Sequence, residues 1–206
     1  MAIINQATKE LQVKIVYYGP ALGGKTTNLV QVHEHVQTLE GQKGKLVSLA
    51  TSSDRTLFFD FLPIEAVAIK GFKTKFQLYT VPGQVIYNTT RQLVLRGVDG
   101  IVFVADSQYE KMEENVKSFQ NLEENLKTLD LNLSEIPYVI QYNKRDLPNA
   151  APIEYMEFLL NNRELQVPAF GATAHKCQGV FETLNMITRM LLHKFINESN
   201  RVKQLA

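Results

Sequence analysis

Gly19-Pro20-Ala21-Leu22-Gly23-Gly24-Lys25-Thr26 fits the spacing G-x-x-x-x-G-K-[ST] of a phosphate-binding loop. Before it, Lys14-Ile15-Val16-Tyr17-Tyr18 is apolar, β-branched and aromatic, and reads as a buried strand. After it, Thr27-Asn28-Leu29-Val30-Gln31-Val32 opens a helix. A strand, a glycine-rich turn and a helix N-terminus bring several backbone N–H groups to one point, where the helix dipole adds positive potential. The spacing therefore predicts a polyphosphate cradle over Gly19, Leu22, Gly23, Gly24, Lys25, Thr26 and Thr27. Lys25 is expected to reach the β- and γ-phosphates, and the Thr26 hydroxyl to ligate Mg²⁺.

A second run, Tyr138-Val139-Ile140-Gln141-Tyr142, reads as another buried strand and leads straight into Asn143-Lys144-Arg145-Asp146. N-K-x-D at a strand end suits guanine. A carboxylate accepts charge-assisted hydrogen bonds from the guanine N1–H and 2-amino group. Adenine offers neither donor and leaves the carboxylate unpaired, a mode of rejection that reaches factors of ~10⁴. Asp146 is thus the predicted base reader, Asn143 the bridge to the phosphate loop and Lys144 the cover of the base plane. Phe170-Gly171-Ala172-Thr173-Ala174-His175 resembles the S-A-K loop of small GTPases, in which a backbone N–H meets the guanine O6. Thr173 and Ala174 fit that pattern, and His175 stands where it has Lys.

Composition agrees with one α/β domain. The chain has 206 residues, long enough for a sizeable core, and no Pro/Gly/Ser-rich linker divides it. One G domain is expected over residues 1–198, with a short polar tail at 199–206. A net charge of +1 gives no electrostatic case for nucleic acid or an anionic membrane. The single cysteine, Cys177, excludes an internal disulfide and suits a reducing cytoplasm. No signal peptide, no apolar run near ~20 residues and no lipidation motif is evident, so no membrane anchor is expected. The four histidines, His33, His35, His175 and His193, show no metal-ligand spacing.

Strands are predicted over 11–18, 45–50, 73–81, 98–105, 137–142 and 166–170. Helices are predicted near 25–38, 84–96, 108–129, 152–161 and 179–197. This alternation describes a central, mostly parallel six-stranded sheet with helices on both faces and ligands at the carboxyl ends of its strands. Val180, Leu184, Ile187, Leu191 and Phe195 recur at helical spacing and read as a stripe facing the core.

The middle of the chain carries candidates for hydrolysis. Leu78-Tyr79-Thr80-Val81-Pro82-Gly83-Gln84 sits where small GTPases have D-x-x-G-Q. The Gly83 N–H is placed to sense the γ-phosphate and Gln84 to orient the attacking water. Thr80 replaces the Asp that holds a water of the Mg²⁺ shell, leaving Asp54 or Asp60 as alternatives. In Ser53-Asp54-Arg55-Thr56-Leu57, Thr56 is favoured over Thr51 as the switch threonine that ligates Mg²⁺. Arg55 beside it is a candidate arginine finger supplied in cis. Without such a finger a related fold turns over at ~10⁻⁴ s⁻¹, and a finger contributes ~10³–10⁵-fold.

From about Lys9 to Ile196 the chain resembles the bacterial MglA-type small Ras-like GTPases. The resemblance rests on Lys14 to Pro20, Val47-Ser48-Leu49-Ala50-Thr51, Arg55-Thr56-Leu57-Phe58-Phe59-Asp60-Phe61-Leu62 and Gly71-Phe72-Lys73-Thr74. It continues through Thr80-Val81-Pro82-Gly83-Gln84 and Leu95-Arg96-Gly97-Val98-Asp99-Gly100 to Asp106. Thr80 is itself a mark of that family. The resemblance implies a GTP/GDP- and Mg²⁺-binding polarity switch that directs gliding or pilus-driven motility. It is expected to be a cytoplasmic monomer recruited to a cell pole, with an exchange factor and motility effectors. The implied activating partner is a roadblock-fold homodimer, MglB, which realigns the switches so that the protein's own Arg55 and Gln84 complete catalysis. Ala21 departs from the Gly usual at its position and places a methyl beside the γ-phosphate. Two other classes stand beside this one. A GTP-dependent scaffold with negligible hydrolysis is suggested by Thr80 and Ala21, and a P-loop kinase or ATPase is disfavoured by Asn143 to Asp146.

Overall fold

The structure, a computed structural model, describes residues 3–5, 9–40, 47–50, 56–69, 72–162 and 166–204. Strands β1 (Ile3–Asn5) and β2 (Glu10–Tyr18) lead into the phosphate loop and helix α1 (Lys25–Glu40). Strands β3 (Val47–Ala50), β4 (Thr56–Ile69) and β5 (Phe72–Thr80) follow, then α2 (Asn88–Leu95). Strand β6 (Gly100–Asp106), α3 (Met112–Lys127), β7 (Tyr138–Asn143), α4 (Ile153–Leu160), β8 (Ala169–Gly171) and α5 (Val180–Gln204) complete the order.

The strands form one sheet in the order β3-β4-β5-β2-β6-β7-β8, with β1 paired to β2. The expected α/β architecture is present, but among the described residues the sheet has eight strands rather than six. Five of them, β5, β2, β6, β7 and β8, run parallel. The two unpredicted strands are both antiparallel to their neighbours. β1 has only three residues. β4 contains Asp60, Pro63 and Glu65, which interrupt an apolar pattern and argue locally against a strand. Its pairing with β5 supplies the stability that its own sequence does not advertise.

Side-chain alternation along the parallel strands builds two cores. Val16, Tyr18, Ile101, Phe103, Ile140 and Tyr142 face α2, α3 and α4, packing on Leu95, Phe119, Leu122, Leu126 and Met156. Val13, Ile15, Tyr17, Val102, Val104 and Val139 face α1 and α5. Parallel strands covered on both faces need such near-continuous apolar sequence. The stripe predicted for α5 is realised: Val180, Leu184, Ile187 and Leu191 are buried, with Phe195 packed beside them. Each such burial contributes roughly 1.5–3 kcal/mol, which anchors a helix of modest intrinsic propensity. α5 runs on to Gln204, past the expected end near 197, since no glycine or proline interrupts it. On the same face Gln141 donates to Asn28 Oδ1 at 3.0 Å and to Thr183 Oγ1 at 3.0 Å, so a buried amide ties β7 to α1 and α5. Among the described residues no helix is long and apolar enough to cross a membrane.

Candidate functional site

β2 lies between β5 and β6, and successive connections leave it in opposite directions, so the sheet's topological switch point falls at its carboxyl end. Such a reversal opens a crevice in which ligands bind. The phosphate loop fills it. The loop's backbone excludes side chains at two glycines. Gly19, at φ 143°, has no room for a Cβ because one would overlap Val104 O. Gly24, at φ 100°, is closed in the same way by the Asn143 amide. Leu22 adopts φ 58°, a left-handed conformation costing ~1–3 kcal/mol for a non-glycine, and its side chain is exposed. Strain of this kind collects where a loop is shaped for a ligand.

Lys25 is buried, and its ammonium donates to Gly19 O at 3.1 Å and Pro20 O at 2.6 Å. The charge is thereby parked at the loop's own mouth. Thr26 and Thr27 follow in the first turn of α1, both half-buried.

Asn143 joins the two predicted halves of the site. Its Nδ2 donates to Gly23 O at 2.8 Å, and its Oδ1 accepts from Ala174 N at 2.9 Å. One buried amide therefore links the phosphate loop, the end of β7 and the Thr173-Ala174 loop. The Ala174 N–H is engaged by that bond, and the Thr173 N–H by Gln178 O at 3.0 Å. Gly24, Thr27, Asn143, Lys144, Asp146 and Ala174 line a cavity of about 180 Å³.

Lys144 also adopts a left-handed backbone, φ 66°. Its ammonium donates to Asp106 Oδ2 at 2.6 Å. Asp106 is fully buried and also accepts from Gln108 N at 3.1 Å. Sequence reading assigned Asp106 no role. The signal was available: an acid closing the apolar run Ile101 to Ala105 falls at a strand's carboxyl end, beside β7 in the register Asp106↔Asn143. Asp146 is one-fifth exposed, with His175 Nε2 at 3.5 Å and Lys176 Nζ at 3.6 Å from its carboxylate. Its loop is pinned by Arg145 N donating to Ala172 O at 3.0 Å.

The turn Pro82-Gly83-Gln84 leaves β5 and comes directly against the phosphate loop. A Cβ on Gly83 would overlap Ala21 Cα and lie 2.6 Å from Ala21 N. Gln84 caps a 3-10 turn over Val85–Tyr87, so α2 starts at Asn88 rather than at 84. Thr80 is fully buried. Thr51, Asp54 and Arg55 lie outside the described residues. Thr56 opens β4 and Asp60 lies within it, both placed in backbone only. The phosphate loop, base loop and Gly83 turn are thus brought together.

The model of the ADP-ribosylation factor family matches residues 1–191. Mutual gliding-motility protein MglA of Myxococcus xanthus (strain DK1622) is 54% identical over 192 residues, covering 93% of this chain and 96% of the relative. Ras-related protein Rab-13 of Canis lupus familiaris is 27% identical over 140 residues, 68% of this chain and 66% of the relative. A phosphate loop tied by Asn143 to a base loop, in a chain matched along nearly its whole length, leaves one assignment: the chain belongs to the ADP-ribosylation factor family of Ras-like small GTPases, as an MglA-type member that binds guanine nucleotide and hydrolyses GTP.

Proposed function

We propose that the chain is a slow GTPase switch for cell polarity and gliding or pilus-driven motility, completed on contact with a roadblock-fold homodimer. The relative's name, a mutual gliding-motility protein, supports the process. The observation that supports the switch chemistry is the close approach of the Gly83 turn to Ala21, beside the expected γ-phosphate position. In this reading the loop N–H groups and Lys25 hold the β- and γ-phosphates, and Asp146 reads the guanine edge. Gly83 N–H takes the γ-phosphate, Gln84 orients water, and Arg55 neutralises charge developing in the transition state.

Mg²⁺ suits the donor set. Thr26 offers a hydroxyl oxygen in the first turn of α1, and no group of three acids, histidines or cysteines that could hold a metal ion is found among the described residues. A cation held by few side chains and otherwise by water and phosphate oxygens fits Mg²⁺. Thr26 would be one of its ligands, and the ion would supply positive charge to offset that of the phosphates. A soluble, pole-recruited protein acting as a monomer until its partner binds completes the proposal.

Nucleotide competition tests it. GTP and GDP should displace a fluorescent GDP at least ~10³-fold more effectively than ATP; equal displacement by ATP would overturn the guanine reading. Ala21→Gly removes a methyl that abuts Gly83 and is expected to raise partner-stimulated turnover several-fold, read as single-turnover phosphate release. An unchanged or lower rate would sink that expectation. The scaffold alternative retains support from Thr80 and Ala21, and it predicts no turnover with the partner present.

A further inference from the structure

Arg91 of α2 is fully buried, and no carboxylate among the described residues pairs with it. Neutral oxygens hold its guanidinium instead. Nε donates to Pro82 O at 2.8 Å, and one terminal nitrogen donates to Gly83 O at 2.5 Å. The other donates to Asn121 Oδ1 at 2.5 Å and to Tyr18 OH at 3.3 Å. The guanidinium also lies over the Tyr18 ring, 5.1 Å from its centroid. Tyr18 and Asn121 are themselves fixed: Tyr18 OH donates to Asn121 Oδ1 at 2.7 Å, and Asn125 donates to Tyr18 OH at 3.0 Å. Burial pushes the Tyr18 phenol above its ordinary pKa, and the Arg91 charge offsets this only in part, so the hydroxyl stays neutral.

An ion buried without a counter-charge is expensive, and its hydrogen bonds must offset that cost. Here the two carbonyls belong to consecutive peptides of the Gly83 turn. A trans peptide is planar, with its C=O and N–H pointing opposite ways, and none of the described peptides is cis. Holding Pro82 O against Arg91 therefore aims the Gly83 N–H away from α2. Holding Gly83 O does the same for the Gln84 N–H. The Gly83 turn itself packs against Ala21 of the phosphate loop, so closely that a Cβ on Gly83 would overlap Ala21 Cα. Tyr18, the last residue of β2, precedes Gly19, so the same guanidinium also braces the strand end from which the phosphate loop springs.

We propose that Arg91 is a positioning residue for GTP hydrolysis: its fork grips Pro82 O and Gly83 O and thereby aims the Gly83 and Gln84 amides at the γ-phosphate position. The proposal rests on the reading of Gly83 as the γ-phosphate sensor. Because Arg91 touches neither the base loop nor the cradle glycines and reaches the phosphate loop only through Tyr18, its main effect falls on the difference between GTP and GDP rather than on nucleotide binding as a whole. Lysine carries the charge but no rigid fork, so it cannot orient both peptides.

The test compares wild type with Arg91→Lys and Arg91→Met, each prepared as the GDP complex. Melting, GDP affinity, GTP:GDP affinity ratio and single-turnover hydrolysis are read on each. GDP affinity is expected to stay within about 3-fold. The GTP:GDP ratio should fall about 10-fold and hydrolysis by about 10- to 100-fold, the scale of an ångström's misplacement. If Arg91→Met fails to fold, Arg91→Lys carries the test, since it keeps the buried charge. A variant that hydrolyses GTP at the wild-type rate with the wild-type ratio overturns the proposal. So does an equal loss of GDP and GTP affinity, which marks a merely structural role. A wild type that does not discriminate or hydrolyse GTP instead contradicts the switch reading itself.

Discussion

Asp146→Asn is expected to lower GDP affinity by about 10³–10⁴-fold and to turn preference toward xanthosine diphosphate. In the proposed site the carboxylate accepts from two guanine donors, and an amide in its place sets a donor against a donor. Xanthine carries a carbonyl at C2, which that amide can satisfy. The substitution is isosteric, and the loop remains pinned through the Arg145 N to Ala172 O bond, which is backbone only. Loss of the long contacts to His175 and Lys176 should matter little, because those side chains are more than half exposed. The effect therefore reports base recognition rather than folding. Titration with fluorescent GDP and XDP, alongside thermal melting, measures it; unaltered GDP affinity would refute the role given to Asp146.

Gly83→Ala has an equally large expected effect on a different quantity. A methyl at Gly83 overlaps Ala21 Cα and sits 2.6 Å from Ala21 N. Both are backbone atoms of a loop held by Lys25 and Asn143, so the loop cannot yield. The turn must move outward by about an ångström to reach ordinary contact, dragging Gly83 N–H and Gln84 with it. Displacement on that scale costs about 10²-fold in a positioned reaction. Single-turnover hydrolysis should fall by that factor while GDP affinity, which uses neither group, stays near wild type. Hydrolysis at the wild-type rate would show that Gly83 does not approach the phosphate loop in the GTP complex.

The role proposed for Asp146 rests on local information, since N-K-x-D is contiguous and its chemistry is local. The phosphate loop was legible for the same reason: Gly19, Gly24 and Lys25 encode backbone geometry within eight residues. The Asn143 bridge to the phosphate loop matches its bond to Gly23, whereas its bond to the Thr173-Ala174 loop was not expected. Arg91 was not legible. In Asn88-Thr89-Thr90-Arg91-Gln92 it reads as one more polar residue on a helix surface. Its acceptors Tyr18 and Asn121 come from distant parts of the chain, and only the fold brings them together. Asp106 is intermediate: its place at a strand end is local information, but its grip on Lys144 is not. β4 escaped because Pro63 and the acids at 60 and 65 disguise a strand that pairing with β5 stabilises from outside. Sequence reveals what neighbours in the chain do to one another; the buried polar cluster under the Gly83 turn is a tertiary product.

The most direct test of the switch is single-turnover GTP hydrolysis by wild type and Gln84→Ala, each with and without the roadblock-fold homodimer. Alone, wild type should turn over near ~10⁻⁴ s⁻¹, and the homodimer should accelerate it by ~10³-fold or more, as a completed finger does in a related fold. Gln84→Ala should stay at the slow rate in both conditions while binding GDP normally. Identical rates for the two proteins, unmoved by the homodimer, would contradict the account and leave GTP as a structural ligand.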